Sequence, residues 1–96
     1  MLHLIFQLPI DIAVLERMDS GDVGLFLESA VLGVLKNGRL ADVLAAKICT
    51  NRLCVLSEDM AIRGILVSEL VTGLEVIDYS GFVNLAVENQ LIQSWC

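Results

Sequence analysis

Four short apolar runs punctuate this chain: Leu2 to Leu8, Val23 to Leu27, Leu53 to Leu56 and Leu74 to Ile77. None of them alternates strictly between apolar and polar residues. Continuous apolarity over about 4–8 residues suits strands covered on both faces, not strands with one wet side. The segments between the runs are long enough to carry a helix from one strand end back to the next strand start. That rhythm predicts an α/β fold of three layers, α/β/α, around a mostly parallel sheet of four or five strands. Right-handed crossovers then put helices on both faces. Residues 1–96 read as one domain without repeats, low-complexity tracts or linkers. The pattern leaves the strand order open.

The first helix is expected from Ile10 to Met18, with Pro9 just ahead of its start and Ser20-Gly21 at its end. A second runs from about Ala30 to Leu35, halts at Lys36-Asn37-Gly38, and resumes from Leu40 to Ala46. A third starts near Ser57 or Glu58 and ends at Gly64. In the last, Phe82, Leu85, Ala86 and Asn89 share one face, which Val83 and Val87 widen. Asp78 or Ser80 caps its start. Leu91 to Trp95 follows as a short extended tail.

More than half of the residues, 56%, are apolar. A chain of this length buries only about 60–70% of the surface its unfolded form exposes. Apolar side chains therefore exceed what one small core hides, and the surplus is expected in patches that mark contacts with other proteins. A bilayer is not the explanation, because no uncharged stretch approaches the roughly 18–20 residues needed to span one. The opening MLHLIFQLPID carries no Lys or Arg ahead of its apolar run, so it is not a secretory signal, and a cytoplasmic location is expected. The net charge is −6, and no Lys or Arg follows Arg63. Such a surface repels phosphate backbones, so direct nucleic-acid binding is not expected.

Cysteines and the lone histidine limit the chemistry further. Cys49, Cys54 and Cys96 form no metal pattern, and His3 is the only histidine. An odd count in a cytoplasmic chain reads as reduced thiols. Cys54 sits in an apolar strand as a small core residue, whereas Cys49, flanked by Lys47 and Arg52, is the one weak candidate for a reactive thiol. Cys96, at the last position, is expected to be mobile. Gly-rich phosphate loops are missing, Asn37-Gly38-Arg39 is a turn, and no cofactor is expected.

The stretch LSEDMAIRG, Leu56 to Gly64, has the layout of a strand end, a helix start and a helix stop. In open α/β sheets such junctions carry ligands and catalytic groups. Glu58 and Asp59 are a candidate carboxylate pair, but acids in a first helical turn more often serve the helix's positive end and its unpaired N–H groups. Arg63, four residues after Asp59, is placed for an intrahelical ion pair. The junction has a catalytic layout and no nucleophile.

That stretch also resembles the strand-to-helix signature of the TusB/DsrH family. Val76 to Trp95, with Ile77-Asp78-Tyr79, then Phe82-Val83, then the late Trp95, resembles the family's C-terminal pattern, and the opening MLH fits as well. The resemblance covers nearly the whole chain and implies a DsrEFH-like variant of the flavodoxin-like architecture. Two departures are visible. Ser29-Ala30 stands where members often have Asp-Gly, so the turn there is expected to differ, since Ala tolerates the left-handed conformation poorly. Val14 stands where some sulfur-oxidising members carry a cysteine.

The resemblance implies a non-catalytic subunit of a hetero-oligomeric sulfur relay. Its partners would be two related small DsrE/DsrF-like (TusD/TusC-like) chains, one with a persulfide-forming cysteine at the start of the helix after its third strand. Here Ser57 to Asp59 holds that place. The relay would pass sulfur through a downstream carrier protein toward 2-thiolation of tRNA wobble uridine, or would serve dissimilatory sulfur oxidation. An active sulfurtransferase using Cys49 is the rival. Glu58, Asp59, Arg63, Asp78, Tyr79, Phe82 and Trp95 are the candidate interface or structural residues. Trp95 has two readings: it folds back onto its own domain, covering the helix from Phe82 to Val87, or it anchors a partner.

Overall fold

The computed structural model describes residues 1–95. Five strands, β1 (Leu2–Ile5), β2 (Val23–Phe26), β3 (Arg52–Leu56), β4 (Glu75–Ile77) and β5 (Ile92–Trp95), form one sheet in the order β4-β3-β2-β1-β5. Every pairing is parallel. Four α-helices connect them: α1 (Ile12–Glu16), α2 (Ala41–Ile48), α3 (Ser57–Ile62) and α4 (Tyr79–Glu88). From β1 to β4 the strands step across the sheet in chain order. The last connection then returns over the whole sheet and lays β5 beside β1.

That reversal decides which face each helix covers. Alternate strand residues feed two separate cores. Ile5, Phe26, Leu53 and Val55 meet Val14 and Leu15 of α1, Leu44 of α2 and Met60 of α3. Leu2, Leu4, Leu25, Leu27, Cys54 and Leu56 point the other way and meet Leu85, with Phe82 at the margin, both from α4. Three helices therefore share one face, and α4 covers the other alone. The continuous apolarity of the central runs has its cause here, because both sides of those strands are inside.

Local chemistry sets the element ends, with several departures from the expected bounds. β1 stops at Ile5, and Phe6 to Pro9 leave the sheet. α1 starts at Ile12, where Asp11 accepts the Ala13 N–H at 2.9 Å, and it ends at Glu16, short of Met18. The segment expected to be helical near Ala30 to Leu35 is a 3-10 helix, Glu28–Val34. A further 3-10 turn, Val67–Glu69, lies before β4. Asp78, and not Ser80, caps α4 by accepting the Gly81 N–H at 2.9 Å. Gly64 closes α3 with φ +67°. The tail after α4 is a true strand, β5, hydrogen-bonded along β1.

Candidate functional site

At the carboxyl end of β3, the two acids of the LSEDMAIRG stretch reach away from their own helix. Asp59 accepts the backbone N–H of Glu28 at 2.7 Å, just beyond β2. Glu58 accepts the N–H of Tyr79 at 3.2 Å, at the first residue of α4, and also the Ser57 hydroxyl at 3.0 Å. The pair therefore staples the ends of β2 and β4 to the end of β3, instead of capping the start of α3. Glu28 has φ +51°, so the left-handed residue of this turn is Glu28 and not Ala30, which is fully buried. The Asp59 carboxylate holds the amide of that unusual residue in place.

The expected Asp59–Arg63 ion pair does not form. Arg63 donates to the Asp59 backbone carbonyl at 3.5 Å, because the carboxylate is taken by Glu28. Asp78 is committed to its helix cap. Tyr79 is exposed, and its ring lies 6.3 Å from that of Phe82, which packs at the edge of the core under α4. Ser57 to Asp59 thus carries no nucleophilic thiol, and both of its acids are engaged by hydrogen-bond donors.

The cysteines are placed for packing or for solvent. Cys54 is fully buried, and burial, reinforced by the nearby Glu75, pushes its thiol up to about 11. Cys49 is exposed at the C-terminal end of α2, the end whose partial charge repels an anion. Its basic neighbours are engaged elsewhere: Lys47 donates to the Met18 carbonyl at 3.0 Å, and Arg52 pairs with Glu75 at 2.8 Å. That is the reverse of the setting that activates thiols. Cys96 lies outside the described residues. Among those residues, no group of three or more His, Cys, Asp or Glu side chains could hold a metal ion, and no helix is long and apolar enough to cross a membrane.

A polar cluster at the β1–β5 pairing joins residues from both ends of the chain. His3 is buried, and its Nε2 lies 2.9 Å from a carboxylate oxygen of Asp22. The Trp95 indole N–H donates to Nδ1 of His3 at 3.1 Å, and the two ring planes lie within 16° of parallel. An indole N–H can only donate, so Nδ1 is bare and Nε2 carries the proton that Asp22 accepts. Asp22 also binds the N-terminal amine at 3.1 Å, and Asn51 ties down the same loop through the carbonyls of Asp19 and Asp22. The Arg17 guanidinium sits 5.6 Å above the Trp95 ring.

Trp95 therefore folds back onto its own chain. It does so against α1 and His3, not over the helix from Phe82 to Val87, because β5 registers Trp95 opposite Ile5 on the other face of the sheet. Asp22 and Asn51 were not singled out from sequence. Their role becomes visible only once β1 pairs with β2, placing Leu2 opposite Val23. Beyond the carboxyl ends of β1 and β5, where the connections reverse direction, lies a crevice of about 330 Å³ lined by Ile5, Leu8, Pro9, Arg17 and Trp95 among others.

Comparison with known proteins agrees with this geometry. The chain is 33% identical to Protein TusB of Cronobacter sakazakii over 98 residues, covering 99% of this chain and all of that protein. It is 33% identical to Protein TusB of Erwinia tasmaniensis over 99 residues, with the same coverage. In three dimensions it is similar to a solved protein of unknown function from Methanobacterium thermoautotrophicum, with a TM-score of 0.79 over 98% of this chain and 96% of that one, at 12% identity. That likeness concerns the fold. The model of the family described as DsrH like protein matches residues 10–91, so this chain belongs to the DsrH-like family.

Proposed function

We propose that this chain is a non-catalytic subunit of a hetero-oligomeric sulfur-relay complex in the cytoplasm, with two related small chains as its neighbours. The observation that carries the reading is the junction after β3. In the TusB/DsrH resemblance, the corresponding place in a neighbouring subunit holds the persulfide-forming cysteine; here it holds Ser57, Glu58 and Asp59, whose carboxylates are occupied by the amides of Glu28 and Tyr79. A strand end built in this way fixes loop geometry and transfers nothing. The full-length likeness to proteins named TusB favours the relay that ends in 2-thiolation of the tRNA wobble uridine over dissimilatory sulfur oxidation. The complex, not this chain, would hand sulfur to a carrier protein.

The test is reconstitution of the complex with a chain carrying Cys49→Ser, Cys54→Ala and Cys96→Ser. Sulfur transfer to the carrier should continue at close to the wild-type rate, once complexes are compared at equal assembly. Cys54→Ala alone accounts for any loss of stability, because Cys54 fills core space. If Cys49→Ser abolished transfer while assembly stayed normal, an active sulfurtransferase would replace the present reading.

A further inference from the structure

α4 spends only one side on its own fold. Leu85 is buried and Phe82 half-buried against the sheet, while Tyr79, Val83 and Val87 recur at four-residue intervals and are 59%, 57% and 81% exposed. Residues at that spacing lie one above another on a helix. Past the helix, Leu91 and Ile92 are also exposed. Ile92 pairs with Leu2, whose side chain belongs to the core under α4, so Ile92 lies on the α4 side of the sheet. Single exposed valines are ordinary, but an apolar run of this extent along the sole cover of one sheet face is the mark of a contact surface.

The charges around this run say what covers it. Glu75, Asp78 and Glu88 accompany it, and the sequence has no Lys or Arg after Arg63. Arg52 already pairs with Glu75. Asp78 and Glu88 make no ion pair among the described residues. A second copy of this chain is a poor occupant, since α4 packed on α4 about a two-fold axis sets like charges against each other. We propose that the outward face of α4 docks a different protein, one with an apolar patch rimmed by lysine or arginine. This inference rests on the subunit reading above, and it assigns one of that subunit's contacts to Tyr79, Val83 and Val87.

The experiment co-expresses the chain with the two small subunits of its complex and measures assembly by co-purification and by affinity at several salt concentrations. Val83→Lys with Val87→Lys should weaken association at least tenfold, with the far-UV spectrum and thermal midpoint of the isolated chain unchanged, because neither side chain is in the core. Wild-type affinity should fall as salt rises, and Glu88→Gln should flatten that dependence. Should the double lysine variant perturb the fold, Glu88→Lys, one exposed residue at the helix end, reads the same surface. Assembly of both variants with wild-type affinity overturns the docking assignment and leaves the subunit reading standing. Failure of the wild-type chain to assemble removes both. Self-association of the isolated chain, abolished by Val83→Lys with Val87→Lys, assigns the face to a second copy and also overturns the proposal.

Discussion

Asp22 answers to three partners at once, and its titration follows from them. Its carboxyl is held below the ordinary carboxylate range chiefly by the His3 hydrogen bond, then by the N-terminal amine and the Asp19 N–H, against an opposing effect of burial. A carboxyl depressed in the folded state contributes stability above its ordinary pKa and loses it as pH falls through the lower folded value. Wild-type stability should therefore decline on acidification below about pH 4, and Asp22→Asn should be less stable at neutral pH with a shallower acid decline. Urea unfolding at pH 7 and at pH 3.5 measures both; equal acid sensitivity in the two proteins would sink the assignment. Of this cluster, the sequence singled out His3 as the only histidine and Trp95 with two alternative placements. The ring lies against His3 and α1 and not over α4, since a ring cannot be assigned to a sheet face until its strand has a register.

Among the elements, α4 makes the sharpest contrast between its two sides. Leu85→Ala leaves a hole in a core that no other helix fills, and should cost about 2–5 kcal/mol. Val83→Ala, on the exposed side, should change the stability of the isolated chain by no more than about 0.5 kcal/mol. Equilibrium urea unfolding of both variants checks this, and similar losses would mean that Val83 is buried. The helix was legible because its spacing, its Asp78 cap and its length all pointed the same way. The 3-10 helix Glu28–Val34 was not legible, because apolar residues at every third or fourth position suit either helix type over so short a run. The Glu58 and Asp59 staples were half legible. Two acids after a strand announce a need for N–H partners, but whose amides they meet depends on the neighbouring strand ends.

For the whole molecule, the decisive feature was the strand order, which apolar runs and helix lengths do not encode. Four strands and the helices between them could be read in sequence; the fifth looked like a tail because Ile92, Gln93 and Ser94 do not form an apolar run. They are exposed at the sheet edge, so they lack the burial that made the central strands visible. Deleting residues 91–96 should nonetheless be severe. It strips β1 of one hydrogen-bonded neighbour and leaves His3 without its indole donor. The truncated chain should lose its cooperative thermal transition and bind a hydrophobic dye. A sharp melt near the wild-type midpoint would show β5 to be dispensable.

The pairing of the first strand with the last also bears on synthesis. Trp95 meets His3 across 92 positions of sequence, so the contact requires almost the entire chain. While the final residues remain inside the ribosomal tunnel, β5 is unavailable and one edge of β1 stays open to solvent and to other chains. The sheet closes only once β5 itself has cleared the tunnel.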